Sequence, residues 1–150
     1  MTVRSSIHIG RLLLALSLLL IPAAIASPLE LRLVAAKITT DSEGKEQRIP
    51  AEAAKPGDLI EYRLFCSNNG PTALGSVKPV IPVPPGMTLV ENSAVPAAEM
   101  FSRDGKDFVP VAAWIKAKEK PAAIRALRWH LPSLAPGQTQ TLSIRTRVQE

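Results

Sequence analysis

The residue types that most often carry out catalysis are sparse in this chain of 150 residues. Cys66 is the only cysteine, and His8 and His130 are the only histidines. A cysteine and a histidine can act as nucleophile and base. However, Cys66 alternates with the apolar residues Tyr62 and Leu64, as a buried residue of a β-strand does. We therefore predict that Cys66 is a buried packing residue, and a single cysteine excludes an intrachain disulfide.

The sequence also predicts no metal site and no cofactor. One cysteine and one histidine beyond the N-terminal segment are too few for a zinc site with the usual ligand count. Asp104 and Asp107 could bind Ca²⁺, but Asp104-Gly105 is the dipeptide that a type I′ hairpin turn requires, and Lys106 lies between the two carboxylates. A nucleophile elbow and a histidine–carboxylate set are missing as well. We therefore predict no enzyme activity.

Arginines near the C-terminal end suggest a different chemistry, the binding of an acidic partner. If the strands that carry Arg128 and Arg145 are neighbours, then Arg128, Arg145 and Arg147 share one solvent-exposed face. Such a basic stripe would suit an anionic glycan, a phospholipid or an acidic protein. The alternative is a solvated face whose charges discourage edge aggregation. Trp114 completes the candidate binding surface because exposed tryptophan is enriched in hot spots, although it could equally cover one end of the domain.

Short alternating runs separated by Pro, Gly and Asn must position these residues, and helical periodicity is almost absent. The clearest strand is 59–67, 142–148 is a further alternating strand, and 77–83 is an edge or interrupted strand because it contains prolines. We expect Tyr62 and Trp129 to be among the most buried residues. The remaining predicted strands are short runs of the same kind: 29–33, 87–90, 124–131 and the two arms of a hairpin at Asp104-Gly105.

The hairpin and the irregular segments complete the predicted fold. A two-residue loop at Asp104-Gly105 would place Phe101 opposite Phe108. Residues 39–55 are predicted as a loop, possibly with a ragged strand, and 112–120 as an irregular connection or a single helical turn. About seven short strands with turns between them predict an all-β protein, a single immunoglobulin-like antiparallel β-sandwich.

The N-terminal residues predict export. Two arginines and the run 12–21, which is apolar except for Ser17, are followed by Pro22 and by the small residues Ala24 and Ala26. This order is typical of a cleaved secretory signal. The run is shorter than the roughly 20 apolar residues that span a bilayer.

Cleavage after Ala26 would divide the sequence into a signal peptide, 1–26, and one domain, 27–150. No second apolar stretch follows, so we expect no membrane span after cleavage. The excess of basic over acidic residues is five in the whole chain and three without the signal. Since the chain is predicted to be exported, this excess does not indicate nucleic-acid binding.

Four turn motifs occur in an order that is similar to a known family: Lys55-Pro56-Gly57-Asp58 leading to Tyr62, then Asn68-Asn69-Gly70, Pro84-Pro85-Gly86, and Leu134-Ala135-Pro136-Gly137. This pattern resembles the bacterial domain of unknown function DUF11, the conserved repeat domain of surface and secreted proteins, over roughly residues 29–148. The resemblance implies an immunoglobulin-like fold and an envelope or extracellular setting, and it implies no enzyme activity.

Together, these observations predict a non-catalytic structural or protein-interaction module of the cell envelope, located in the periplasm or at the cell surface. Its partner would be an envelope protein or an acidic surface. An alternative function is a periplasmic chaperone or assembly factor that offers an exposed sheet edge to clients by β-augmentation.

The first testable prediction concerns export. The complete signal pattern predicts that the mature protein begins at Ser27 and is found outside the cytoplasm. N-terminal sequencing of the protein purified from its native cells measures this directly. A cytoplasmic protein that retains Met1 would contradict the prediction.

Overall fold

The computed structural model describes residues 27–118 and 123–150. The predicted signal peptide therefore lies outside the described residues, as does part of the segment predicted to be irregular. The described residues form eleven strands and one helix: β1 (Leu29–Thr40), β2 (Glu46–Pro50), β3 (Leu59–Asn68), β4 (Leu74–Val77), β5 (Val80–Pro82), β6 (Met87–Leu89), β7 (Met100–Ser102), β8 (Phe108–Pro110), α1 (Val111–Ala117), β9 (Ala126–Arg128), β10 (Leu131–Leu134) and β11 (Thr139–Val148).

The first layer of the fold is a five-stranded antiparallel sheet with the order β2-β1-β3-β11-β6. Its central strand, β3, pairs with β1 from Leu59 to Asn68 and with β11 from Leu59 to Ser67. Period-two alternation of apolar and polar residues directs one set of side chains to each face. The inner face of this sheet carries Leu64 and Cys66, and the outer face carries Glu61 and Arg63.

The second layer combines a four-stranded sheet, β5-β9-β7-β8, with the two-stranded sheet β10-β4. Only residues 78–79 separate β4 from β5, and only 129–130 separate β9 from β10. The backbone N–H of Trp129 donates to the carbonyl of Pro79 at 3.1 Å, which joins the two sheets at this interruption. The predicted interrupted edge strand is therefore confirmed, because Pro79 has no N–H for a ladder.

The core lies between the inner faces of the two layers, as in a β-sandwich. Leu64 and Ile144 of the first layer pack in one cluster with Phe101 and Leu127 of the second, and all four are almost fully buried. Trp129 belongs to the same cluster with 3% exposure, as predicted, and its indole N–H donates to the carbonyl of Pro96 at 2.7 Å. The all-β antiparallel sandwich is thus confirmed, with more strands than the seven expected.

Two of the predicted core residues have different outcomes. Cys66 is fully buried, as predicted, and burial raises the pKa of its thiol. Tyr62 is only partly buried, so the prediction that it is among the most buried residues was wrong. Its hydroxyl reaches the sulfur of Met87 at 3.2 Å, at the side of the core.

The hairpin that contains Asp104-Gly105 has a different register from the predicted one. Phe101 lies opposite Val109, and Phe108 lies opposite Ser102, so the loop has five residues instead of two. The Asp104 carboxylate explains the larger loop, because it accepts hydrogen bonds from the Ser102 hydroxyl at 2.9 Å and from two backbone N–H groups of the loop. Consequently, Phe101 is buried in the core and Phe108 lies on the outer face of the second layer.

Three segments are more regular than the sequence pattern predicted. β1 continues to Thr40, and β2 lies within residues 39–55, which were predicted to be a loop, possibly with a ragged strand. Residues 112–120 were predicted to be an irregular connection or a single helical turn, and there α1 follows Pro110. The helix ends at Lys118, which adopts a left-handed conformation with φ of 52°.

The second testable prediction compares the two tryptophans. Trp129→Ala should lower the free energy of unfolding by roughly 3–5 kcal/mol, because it leaves a large cavity in the core. Trp114→Ala should cost much less, since Trp114 is only partly buried. Urea melts of both variants would measure the difference. A larger loss for Trp114→Ala would show that the core is centred elsewhere.

Candidate functional site

The three arginines that were predicted to form one basic stripe are separated by the fold. Arg128 lies on β9 in the second layer, whereas Arg145 and Arg147 lie on β11 in the first layer. The two strands are not neighbours, so the condition under which the three arginines would share one face is not met. The Arg128 guanidinium instead stacks over the ring of Phe108, 4.3 Å from its centroid.

Trp114 covers one side of the core from α1. Its ring centroid lies 6.0 Å from that of Phe101, with the two rings tilted by 50°. It also lines an apolar groove of about 250 Å³ together with Leu89, Ala94 and Leu127. This position agrees with the interpretation that Trp114 covers an end of the sandwich, and Ile115 beside it remains 69% exposed.

Arginines do cluster, but on the outer face of the first sheet. This face is defined by the side chains that alternate with the core residues of β1, β2, β3 and β11. On these described strands it carries five arginines and three carboxylates: Arg32, Arg48, Arg63, Arg145 and Arg147, with Glu30, Glu46 and Glu61. Three of these arginines were not predicted, since β2 was only a possible strand and the order of the strands was unknown.

Glu61 organises one half of this arginine face. Its side chain is only 5% exposed, and it accepts hydrogen bonds from Arg48 at 2.6 and 3.2 Å. Arg145 and Arg63 approach the same carboxylate at 3.5 and 3.6 Å. Burial would raise the pKa of Glu61, but the hydrogen bonds from Arg48 and the charges of the three arginines outweigh it, so this pKa lies below its ordinary value.

Phe65 organises the other half of the arginine face. The Arg32 guanidinium lies 4.3 Å from the centroid of the Phe65 ring, and the Arg63 guanidinium lies 5.7 Å from it. Such contacts hold a guanidinium by its flat face and leave its N–H edge free to bind an acceptor. Arg145, in contrast, donates to Glu46 at 2.7 and 2.9 Å, so its charge is already compensated.

A second unusual surface lies on the inner face of the first sheet, where β1 extends beyond the second layer. Leu31 and Leu33 are directly opposite the buried residues Cys66 and Leu64, yet they are 52% and 45% exposed. Ile49 on β2 is 41% exposed on the same face. Between β1 and β4 there is an open groove of about 390 Å³, lined by Leu31 and by the edge strand β4.

The residues considered for catalysis are not assembled into a site. Cys66 is fully buried, and the His130 ring instead faces the Ser76 hydroxyl at 3.5 Å. Within 27–118 and 123–150, no three side chains of His, Cys, Asp or Glu are grouped so that they could hold a metal ion. None of the helices in those ranges is long and apolar enough to cross a membrane.

Comparison of the chain with protein-family models, with curated proteins and with solved structures finds no match.

The third testable prediction concerns the buried carboxylate. Glu61→Gln should lower the free energy of unfolding at pH 7 by about 2 kcal/mol, because it removes charged hydrogen bonds. Because the pKa of Glu61 is lower in the folded protein than in the unfolded chain, the carboxylate stabilises the fold fully at pH values above the unfolded pKa, near 4.5. This stabilisation is lost as the pH falls through the pKa of the folded protein. The difference between the two proteins should therefore shrink below about pH 4. Urea melts of both proteins at pH 7 and below about pH 4 test this. An equal difference in the free energy of unfolding under both conditions would contradict the prediction.

Proposed function

We propose that this chain is a non-catalytic interaction module of the bacterial cell envelope, exported to the periplasm or to the cell surface, and that it binds an envelope protein at the groove between β1 and β4. The observation that carries the proposal is the exposure of Leu31 and Leu33 on the inner face of the first sheet, directly opposite Cys66 and Leu64 of β3, which are buried. Large apolar side chains that remain exposed together often mark an interaction site.

The groove offers both parts of a strand-binding site. Among the described residues, β4 pairs only with β10, so the backbone groups on its other edge are available to an added strand. Leu29 and Leu31 line the groove, and Leu33 continues the same period-two row along β1. An extended segment with alternating apolar side chains would therefore contact β4 through its backbone and the leucines through its side chains.

The resemblance to DUF11 supports the envelope setting, and the N-terminal signal pattern supports export. Both arguments rest on the sequence. The non-catalytic part of the proposal rests on the burial of Cys66 and on the separation of His130 from it.

A periplasmic chaperone or assembly factor is a second candidate function, and the same groove favours it. The open edge of β4 would then receive segments of incompletely folded clients instead of one folded partner. The two functions differ in the number of partners. A module has one partner or a few, whereas a chaperone contacts many unrelated clients through short apolar segments.

The fourth testable prediction uses the exposed leucines. A photo-crosslinking residue at position 31 should capture a partner in envelope extracts from the native cells, and Leu33→Glu should reduce this capture at least fivefold. Leu33 is 45% exposed, so this change should leave the fold intact. Mass spectrometry of the crosslinked peptides would identify the segment that occupies the groove.

The matched control places the crosslinking residue and, separately, the change to Glu at position 115 of α1, because Ile115 is also an exposed apolar residue. A crosslinker at position 115 should not capture the same segment, and Ile115→Glu should not reduce capture at position 31. One recurrent partner would support the module, and many unrelated clients would support the chaperone. Equal capture at both positions would contradict both functions.

A further inference from the structure

Arg32 and Arg63 form a pair of cations whose charges are largely uncompensated. Within the described residues, the ion pairs of the arginine face do not include Arg32, and Arg63 contacts Glu61 only at 3.6 Å. Glu61 is shared with two other arginines, which approach it more closely. The positive potential of this face is therefore concentrated around Phe65.

The spacing of these two cations suits successive acidic groups of one ligand. Arg32 lies opposite Phe65, and Arg63 lies opposite Val34, so the two arginines are diagonal neighbours on adjacent strands. Diagonal neighbours of this kind are about 7–8 Å apart. The two guanidiniums can be at most 10.0 Å apart, because they lie 4.3 and 5.7 Å from the same ring centroid. Each guanidinium can bind one carboxylate through two N–H groups.

The surface beside the pair is flat and polar. Thr141 on β11 lies opposite Phe65 and is exposed, so its hydroxyl can bond a hydroxyl group of a ligand. Ala36 and Ile38, which lie on the same face, are each only 8% exposed. Val34, Leu59 and Phe65 of this face are partly buried, so none of them projects fully from the surface as an apolar side chain that inserts into a lipid surface does.

The strands beneath the pair differ in their pairing. β3 has a neighbour on both edges, so a peptide could not extend the sheet beside Arg63. β1 pairs with β2 only from Ala36 to Thr40, so among the described residues no second strand pairs with β1 at Arg32. A ligand that bridges Arg32 and Arg63 lies across the face of β1 and β3, and it is therefore recognised through side-chain charge and hydroxyl groups.

We infer that the arginine face is a second binding site, separate from the groove, and that it binds a linear acidic polysaccharide through Arg32 and Arg63. Successive carboxylates of the polymer contact the two guanidiniums, and a sugar hydroxyl contacts Thr141. The site lies on the outer face of the first sheet, whereas the groove lies on its inner face. Failure of one proposal therefore leaves the other unaffected.

The fifth testable prediction uses polygalacturonate, a linear polymer that carries one carboxylate on each sugar, as the probe. The full mature domain should bind it at low salt, and Arg32→Gln with Arg63→Gln should weaken binding at least tenfold. About 1 M salt, at which the Debye length is about 3 Å, should abolish binding. Isothermal titration would measure the affinities, and dextran, an uncharged polymer, should not bind.

Arg128→Gln is the matched control. Arg128 also stacks over a phenylalanine ring at 4.3 Å, but it lies in the other layer, and among the described contacts Phe108 has no second arginine over its ring. The change removes a charge of the same kind and should change the affinity less than twofold. If the double variant is not folded by circular dichroism, Arg32→Gln alone serves, since it breaks no described ion pair, and should weaken binding at least threefold.

Three outcomes would overturn the inference. The first is the absence of polygalacturonate binding by the wild-type domain. The second is an equal loss of affinity in Arg128→Gln, which would indicate attraction by net charge alone. The third is tighter binding to another probe, either vesicles of anionic phospholipid or polyglutamate, than to polygalacturonate. This outcome counts if the loss of Arg32 and Arg63 weakens binding to that probe equally.

Discussion

The connection between the two layers depends on the side chain of Asn68, which is fully buried at the end of β3. Its amide group donates to the carbonyls of Thr72 at 2.8 Å and Leu134 at 2.9 Å, and its amide oxygen accepts from the N–H of Gly70 at 3.0 Å. Its backbone carbonyl accepts from Gly137 at 2.8 Å. Asn68 thus provides hydrogen-bond partners for backbone groups of two segments: the loop that crosses to the second layer and the turn that returns from it. Leaving such groups unpaired costs about 1–3 kcal/mol each.

The position of this crossing determines which surfaces of the first sheet are free. β4 begins six residues after Asn68, and an open groove lies between β4 and β1. Leu31 and Leu33 are exposed, so the second layer leaves part of β1 uncovered. The opposite face of the same strands is never covered by the second layer, and there Glu61 is buried by arginine side chains instead. The two candidate sites therefore arise from one feature, a second layer that is narrower than the first.

The alternation of apolar and polar residues along a single strand correctly predicted which side chains face the core. The pairing between strands could not be predicted from this pattern. The faces of β3 and β11 were predicted from their own residues, and Gly57 adopts the positive φ expected in its turn, 86°. The arginine face could not be predicted, because it joins strands that are distant in the sequence. The separation of Arg128 from Arg145 and Arg147 could not be predicted for the same reason. The hairpin register failed because the Asp104 side chain stabilises a larger loop than the dipeptide alone would favour.

The arrangement of β1, β3 and β11 has a mechanical consequence. Leu29 at the start of β1 lies opposite Asn68, whereas Arg147 near the end of β11 lies opposite Leu59, at the other end of β3. A tensile load applied between these two points would slide β1 and β11 along β3 in opposite directions. The hydrogen bonds of an antiparallel ladder are perpendicular to its strands, so such a load acts on all of them together in shear and does not open them one after another. The sheet is thus oriented to resist stretching along its longest strands.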